Sequence, residues 1–379
     1  MARGWMGGLL AAFTFAGSDF RNTMSTYEDY TPVLDDFYLA LATVVLIPLQ
    51  DVFFAAAVGF KEPAVLIPGA AITCLLATQL FFWLGAGASF SVRNILVVGL
   101  LGLWALHLFI FSIVHTCEAR KRGSLAAQKR PVRLPLGVIL SYLVFPWVLF
   151  LPFILSCSPN VSYSGYGQYV RFEPYPSDII GLVLIALAFL VEIGAWYGKL
   201  RFDLRKNHAS SSNGKSLASS LIPSYGIYRF TRHPLLFSVP LLSLGIYVLV
   251  ATPAFYAWGG GGLRNRLGSP GREALVASVV CPVAIILAEV LFVLPWLERV
   301  QLAHYSSLAS ERAVPAAEGN VWTAYEVYRS RTSPIIPLPP SVYGRLPAGV
   351  RRWVFGERSL DSTAARRFAG REAETGVEC

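Results

Sequence analysis

Charge is what this sequence has least of. Asp, Glu, Lys and Arg make up 15% of its 379 residues, against about 25% in soluble domains. Beside a hydrophobic content of 54%, that shortage excludes an ordinary soluble globular domain. Metal-binding patterns are missing as well: Cys74, Cys117, Cys157, Cys281 and Cys379 show no paired spacing, which excludes a zinc cluster and leaves them as small buried hydrophobes. Acidic residues are outnumbered, 23 against 32 basic ones, for a net charge of +9. The excess lies in short loops and a tail, so it reads as topology information and attraction to anionic lipid headgroups rather than to nucleic acid. Cys379 stands last, so no prenylation box is expected. Residues 1–18 hold one arginine and a short apolar run, a weak leader-like pattern expected to be retained.

What is abundant is apolar run length. A bilayer core of about 30 Å takes about 20 apolar residues per helix, and seven stretches reach that scale, at roughly 37–59, 64–85, 95–115, 134–156, 179–197, 233–253 and 274–297. The expected fold class is therefore all-α: a polytopic membrane protein of about seven transmembrane helices with a cytoplasmic C-terminal cap. Pro146 and Pro152 fall inside the fourth span, where membrane helices tolerate them.

Loop charges orient the bundle. Residues 118–133 carry six Lys or Arg against one Glu, which places that loop in the cytoplasm. The loop after the fourth span has one basic residue and the acceptor pattern Asn160-Val161-Ser162, consistent with the opposite side. The chain then divides into an N-terminal segment 1–36, five helices over 37–198, a basic Ser-rich linker 199–223, a helical hairpin with a cap over 224–342, and an Arg-rich tail 343–379 expected to be disordered or on lipid headgroups. A Gly-rich loop, 256–273, separates the last two spans on the lumenal side. An endoplasmic reticulum location fits the sequon and the basic loops.

The chemistry concentrates at the mouth of the sixth helix. Pro234 suits the first helical turn, where its missing N–H costs no hydrogen bond, and Arg232 and His233 precede it. Two donor side chains and the positive end of a helix dipole favour an anion there. The seventh span ends at Glu298-Arg299 on the same side, so hairpin topology places Glu298 in one pocket with His233. Trp322, Tyr325 and Tyr328, three apart on one helical face, follow closely enough to cover it. Asp51, Glu192 and Glu289 lie within apolar spans, where carboxylates are costly and are candidates for function or for helix pairing. His107 and His115, eight apart, share a helix face, either as core histidines or as ligands of a haem.

These residues resemble a known family. Gly226, Tyr228, Arg232, His233, Pro234, Gly245 and Pro253 follow the cofactor-region pattern of the isoprenylcysteine carboxyl methyltransferases and their phospholipid methyltransferase relatives. Glu298 to Leu302 resembles the later E-E-x-x-L block, and Gly319, Trp322, Tyr325 and Pro334 resemble the block after it. Ile227, Leu236, Ser238 and Arg299 depart from the pattern. The resemblance spans roughly 224–337. It implies S-adenosylmethionine bound by Tyr228, Arg232, His233, Pro234, Gly245, Glu298 and Tyr325, with Arg232 and Glu298 catalytic and no metal. The implied substrate is a prenylated protein C-terminus, methylated at its carboxylate; such a carboxylate is already ionised at pH 7, so alignment with the sulfonium is the main requirement. Other readings are a phosphatidylethanolamine N-methyltransferase, an NADPH-dependent sterol reductase, since R-H-P blocks also occur in those enzymes, and a noncatalytic membrane scaffold.

Overall fold

The computed structural model describes residues 39–59, 65–85, 92–121, 135–158, 175–209, 222–258, 269–311, 321–347 and 349–351. The first 36 residues, the Asn160 sequon, most of the basic loop and of the linker, Gly319 and the end of the tail lie outside them. Seven helical columns are long and apolar enough to cross a membrane. Five are single helices: α1 (Leu39–Gly59), α2 (Leu66–Gly85), α3 (Val92–Lys121), α4 (Leu136–Cys157) and α5 (Pro176–Ala209). The sixth is α6 (Pro234–Trp258), preceded by a single 3₁₀ turn, Gly226–Arg229. The seventh is composite: α7 (Ser269–Ala277), α8 (Val280–Ala288), a π turn at Glu289–Val293 and α9 (Leu294–Glu311). Two short helices, α10 (Val321–Arg331) and α11 (Pro340–Tyr343), complete the cap. Among the described residues the only β pairing is one isolated bridge, Thr231 to Ser333.

All seven expected spans are present, and three run on into charged sequence beyond the apolar runs; α3 continues to Lys121. α5 continues through the basic Lys199–Arg205 region to Ala209. α9 does not stop at Trp296–Glu298 but runs on to Glu311, so Glu298 lies within a helix rather than at its end. Helical backbone needs no apolar side chains to continue, because its hydrogen bonds are internal to the segment.

The distribution of polarity is that of a protein solvated by hydrocarbon. Leu103, Leu190 and Leu291 are each more than half exposed on the outer surface, while polar side chains turn inward and pair across helices. The Thr73 hydroxyl donates to Gln50 Oε1 (2.9 Å), tying α2 to α1. Arg93 forks onto both oxygens of Asp178 (2.9 and 2.7 Å), tying α3 to α5. Such pairs matter because hydrocarbon offers an unsatisfied polar group no partner. Asp51, by contrast, sits on the exposed face of α1. Cys74, Cys157 and Cys281 are buried in helix contacts, as packing residues.

α6 packs most extensively on α5, and glycine makes the approach possible. A Cβ on Gly245 would lie 2.7 Å from Ile185 Cγ1 and 2.9 Å from the Gly181 carbonyl. Small residues that let backbones touch are the usual adhesive between membrane helices. Gly245→Ala is therefore expected to destabilise the bundle by about 1–3 kcal/mol, the usual cost of overpacking. Gly99→Ala, with nothing within 4 Å of the added carbon, leaves the thermal midpoint in lipid nanodiscs unchanged or higher.

Candidate functional site

The chain reaches the site through a turn that only glycine adopts easily. Gly226 has φ of 62°, a left-handed conformation in which a Cβ is strained. It opens the 3₁₀ turn Gly226–Arg229 and reverses the backbone toward α6. The next residues are fastened to the cap by main-chain bonds. Arg232 N–H donates to the Ser333 carbonyl (2.8 Å), His233 N–H to Pro334 (3.0 Å) and Leu338 N–H to Phe230 (3.3 Å). The buried Thr231 hydroxyl lies 2.8 Å from the Ile335 carbonyl, and the Tyr328 hydroxyl donates to the Tyr228 carbonyl (2.9 Å). The amides of Arg232 and His233 thus hold the cap in place. Whatever charge selectivity the mouth has comes from side chains.

Those side chains converge on one carboxylate. Arg232 Nη1 donates to Glu298 Oε2 (3.0 Å), and His233 Nε2 lies 3.0 Å from Glu298 Oε1. Arg329 Nε, from α10, stands 3.5 Å from Oε2. Arg232, His233 and Arg329 are buried, and the Glu298 side chain is 13% exposed. Three basic groups from two segments share one acid, with both oxygens engaged. Hairpin topology anticipated the pairing of His233 with Glu298. Arg329 was not anticipated; its signal was its position four residues after Tyr325, on the same helix face.

Aromatic groups wall the cluster. Tyr325 is fully buried and stacks on Tyr305 of α9, with centroids 4.2 Å apart and planes at 23°. Burial, with the Glu298 charge adding to it and Arg232 and Arg329 opposing, pushes the Tyr325 phenol up to about 12. Burial likewise raises Tyr228 and Tyr328. All three phenols stay neutral at physiological pH and can donate hydrogen bonds. Ser333, fully buried beside the Arg232 amide, has a hydroxyl that makes no hydrogen bond among the described residues.

The other residues named from sequence divide. Tyr228 and Pro234 stand at the cluster: the Tyr228 ring lies against Gly198 of α5, and Pro234 opens α6. Gly245 does not. It is eleven residues further along α6, about 17 Å at the helical rise, and its lack of a side chain serves the α5 contact. Among the positions that depart from the methyltransferase pattern, Arg299 is exposed and outside the cluster, while Ser238 is buried and spends its hydroxyl on the Leu235 carbonyl (2.9 Å). Among the described residues no group of His, Cys, Asp and Glu could hold a metal ion. His107 and His115 approach carboxylates, Glu192 (3.6 Å) and Asp203 (3.8 Å).

Fold and site together define a multi-pass, all-helical membrane protein with a buried ionic cluster where α6, α9 and the cap meet. A family model described as "Protein of unknown function (DUF1295)" matches residues 55–258. That is more than half of the chain, and the chain belongs to that family. The matched region takes in α2 to α6, including Arg232-His233-Pro234, and ends before Glu298 and Arg329. The resemblance to the isoprenylcysteine methyltransferases rests on the motif residues and is not carried by this family match. No curated protein and no solved structure matches the chain.

Removing the shared acid leaves buried cations facing one another. Glu298→Ala is expected to destabilise the protein by about 3–5 kcal/mol, as breaking one partner of a buried pair does, whereas Glu298→Gln, which retains an acceptor, is milder in thermal unfolding. Alkali gives a second check. Tyr325 ionises at about 12 in the folded protein and near 10 when unfolded. Its raised value supplies stability that is full below about pH 10 and lost as pH rises toward 12. Tyr325→Phe flattens the stability profile over that window.

Proposed function

We propose that the protein is a membrane-resident reductase that binds a phosphate-bearing dinucleotide of the NADPH type at the Arg232–His233–Arg329 cluster and acts on a lipid substrate of the sterol class. The observation that carries this reading is the state of Glu298. Both of its oxygens are engaged by Arg232, His233 and Arg329, so it is committed to aligning basic groups rather than to receiving a ligand's ammonium. S-adenosylmethionine carries a sulfonium and an ammonium against one carboxylate and is a net cation. A dinucleotide phosphate is a polyanion, matched by guanidiniums whose planar donor forks suit phosphate oxygens.

The residues present fit such a group. Arg232 and Arg329 would hold phosphate, with His233 beside them and the buried Ser333 hydroxyl as a further donor. Glu298 acts as a positioning residue, fixing the guanidinium and imidazole orientations. The neutral phenols of Tyr325 and Tyr328 exclude water from the cluster. When bound, the dinucleotide supplies a hydride. The apolar bundle surface keeps a lipid substrate within the bilayer, next to a cofactor that arrives from water, and loop charge makes that aqueous side the cytoplasm, in an endomembrane such as the endoplasmic reticulum.

A second reading is favoured by the order and spacing of the motif blocks, which bring Tyr228, Arg232, His233, Pro234, Glu298 and Tyr325 to one place. In it the cofactor is S-adenosylmethionine, its carboxylate on Arg232 and His233. The methyl acceptor is a prenylcysteine carboxylate or the amine of phosphatidylethanolamine. Calorimetry on the full chain in nanodiscs separates the readings. NADPH is expected to bind saturably, and Arg329→Gln to weaken it about 10- to 100-fold, the size of a lost charge-assisted contact. Saturable S-adenosylmethionine with no NADPH response moves the assignment to methyl transfer. Label entering a farnesylcysteine analogue or phosphatidylethanolamine then names the acceptor. Binding of neither points to a noncatalytic scaffold.

A further inference from the structure

Away from the cluster, α3 and α5 meet along a line of polar pairs at three depths. Arg93 pairs with Asp178, Trp104 and His107 with Glu192, and His115 with Asp203. The partners are separated in sequence by 85 residues at Arg93–Asp178 and 88 at Trp104–Glu192, so the two helices run in the same direction and in register. The middle pair lies well inside both apolar spans, Val92–Cys117 and Pro176–Asp203.

The outer pair at Arg93 is complete, with two short hydrogen bonds. The middle one is not. Trp104 Nε1 donates to Glu192 Oε2 (2.7 Å) and fixes the carboxylate. The other oxygen, Oε1, faces His107 Nδ1 at 3.6 Å, too far for a hydrogen bond. Glu192 Oε1 and both His107 ring nitrogens are buried and make no hydrogen bond among the described residues. A bare carboxylate there would cost several kcal/mol.

Three kinds of partner can relieve that cost, and two do not fit. Water or a ligand hydroxyl needs space, yet these atoms are closed off by their neighbours. Phe111 packs on the imidazole with centroids 4.6 Å apart, and Trp196 stacks on Phe111 at 5.9 Å. A hard metal cation needs about six oxygens, and one carboxylate oxygen with one ring nitrogen does not supply them. A proton needs no space. It neutralises the carboxylate, or turns the imidazole into its counter-ion.

We propose that Glu192 and His107 form an intramembrane proton-binding site, in which one exchangeable proton is held by the carboxylate or by the imidazole Nδ1. Uptake forms one O–H or N–H bond and breaks one in the donating hydronium; release reverses it. Among the described side chains, the other charged and titratable groups of the same two helices are Arg93 and Asp178 at one end and His115, Cys117, Tyr197, Lys199, Arg201 and Asp203 toward the other. His115 is eight residues on from His107, about 12 Å along α3. The helices packed against this pair, α2, α4 and α6, carry no Asp, Glu, Lys, Arg or His, and their only ionisable side chains are those of cysteines and tyrosines; the 3₁₀ turn, which touches α5 at Gly194 and Gly198, carries Tyr228 and Arg229. The site stands apart from the proposed cofactor and does not rest on it.

Infrared difference spectroscopy on the full chain in nanodiscs tests the site. Wild type is expected to show the carbonyl stretch of a protonated carboxyl that changes with pH and shifts in D2O. Glu192→Gln, which still accepts from Trp104, abolishes that band, and Asp178→Asn leaves it. His107→Gln moves its midpoint by about one pH unit or more, the effect of removing a charge within ~4–6 Å. If wild type shows neither a carboxyl band that Glu192→Gln abolishes nor an imidazolium ring mode that His107→Gln abolishes, each changing with pH, the proposal fails. If Glu192→Gln does not fold, the His107→Gln spectrum decides: an unmoved midpoint overturns the shared proton, and a moved one sustains it.

Discussion

The carboxylate of Glu298 is the point on which the arrangement of the site depends. Arg232 and His233 come from the mouth of α6, Glu298 from the middle of α9 and Arg329 from the cap helix α10. The mouth of α6 is far in sequence from α9 and α10, and each segment delivers a basic or acidic group into a place with little water. Like charges so close are tolerable only because the acid stands among them. The same ion group therefore closes the cap on the bundle and sets the orientation of the basic side chains. The main-chain bonds from Arg232 and His233 to Ser333 and Pro334 hold the donors in register, leaving little freedom at the mouth.

Below that level the bundle follows a different rule. Hydrocarbon supplies no hydrogen bonds, so each polar side chain in a span must find a protein partner, a proton or the surface. Arg93 with Asp178 meets that requirement within the protein, and Thr73 meets it for the Gln50 carbonyl oxygen. Asp51, exposed at the middle of α1, does not meet it among the described residues. Glu192 and His107 meet it only in part, and this is why they stand out. The glycine contact between α5 and α6 brings these two columns together at backbone distance. α5 also carries Gly198 against Tyr228, so one helix touches both the lipid-level polar pair and the site.

Much of this was legible in the sequence. Seven apolar runs of membrane length, the helix start at Pro234 and the proximity of Glu298 to His233 follow from run length, proline chemistry and hairpin topology, all local or nearly local rules. The role of Gly245 was not legible. A glycine at a motif spacing looks the same whether it admits a cofactor or a neighbouring helix, and only the position of Ile185 and Gly181 distinguishes the two. Arg329 was missed because a basic residue in a polar helix ordinarily faces water. The full length of α9 was missed because apolar content marks where a helix is in lipid, not where it ends.

Composition and spacing by themselves determined that this is an all-helical membrane protein with a basic helix mouth, because hydropathy and proline act on the residues that carry them. Tertiary structure decided which charges meet. The third basic group at Glu298, the saturation of its two oxygens and the unfinished pairing of Glu192 with His107 depend on distances of 3 to 4 Å between segments far apart in the chain. Electrostatic and hydrogen-bond energies change steeply over such distances, and sequence order alone does not specify them.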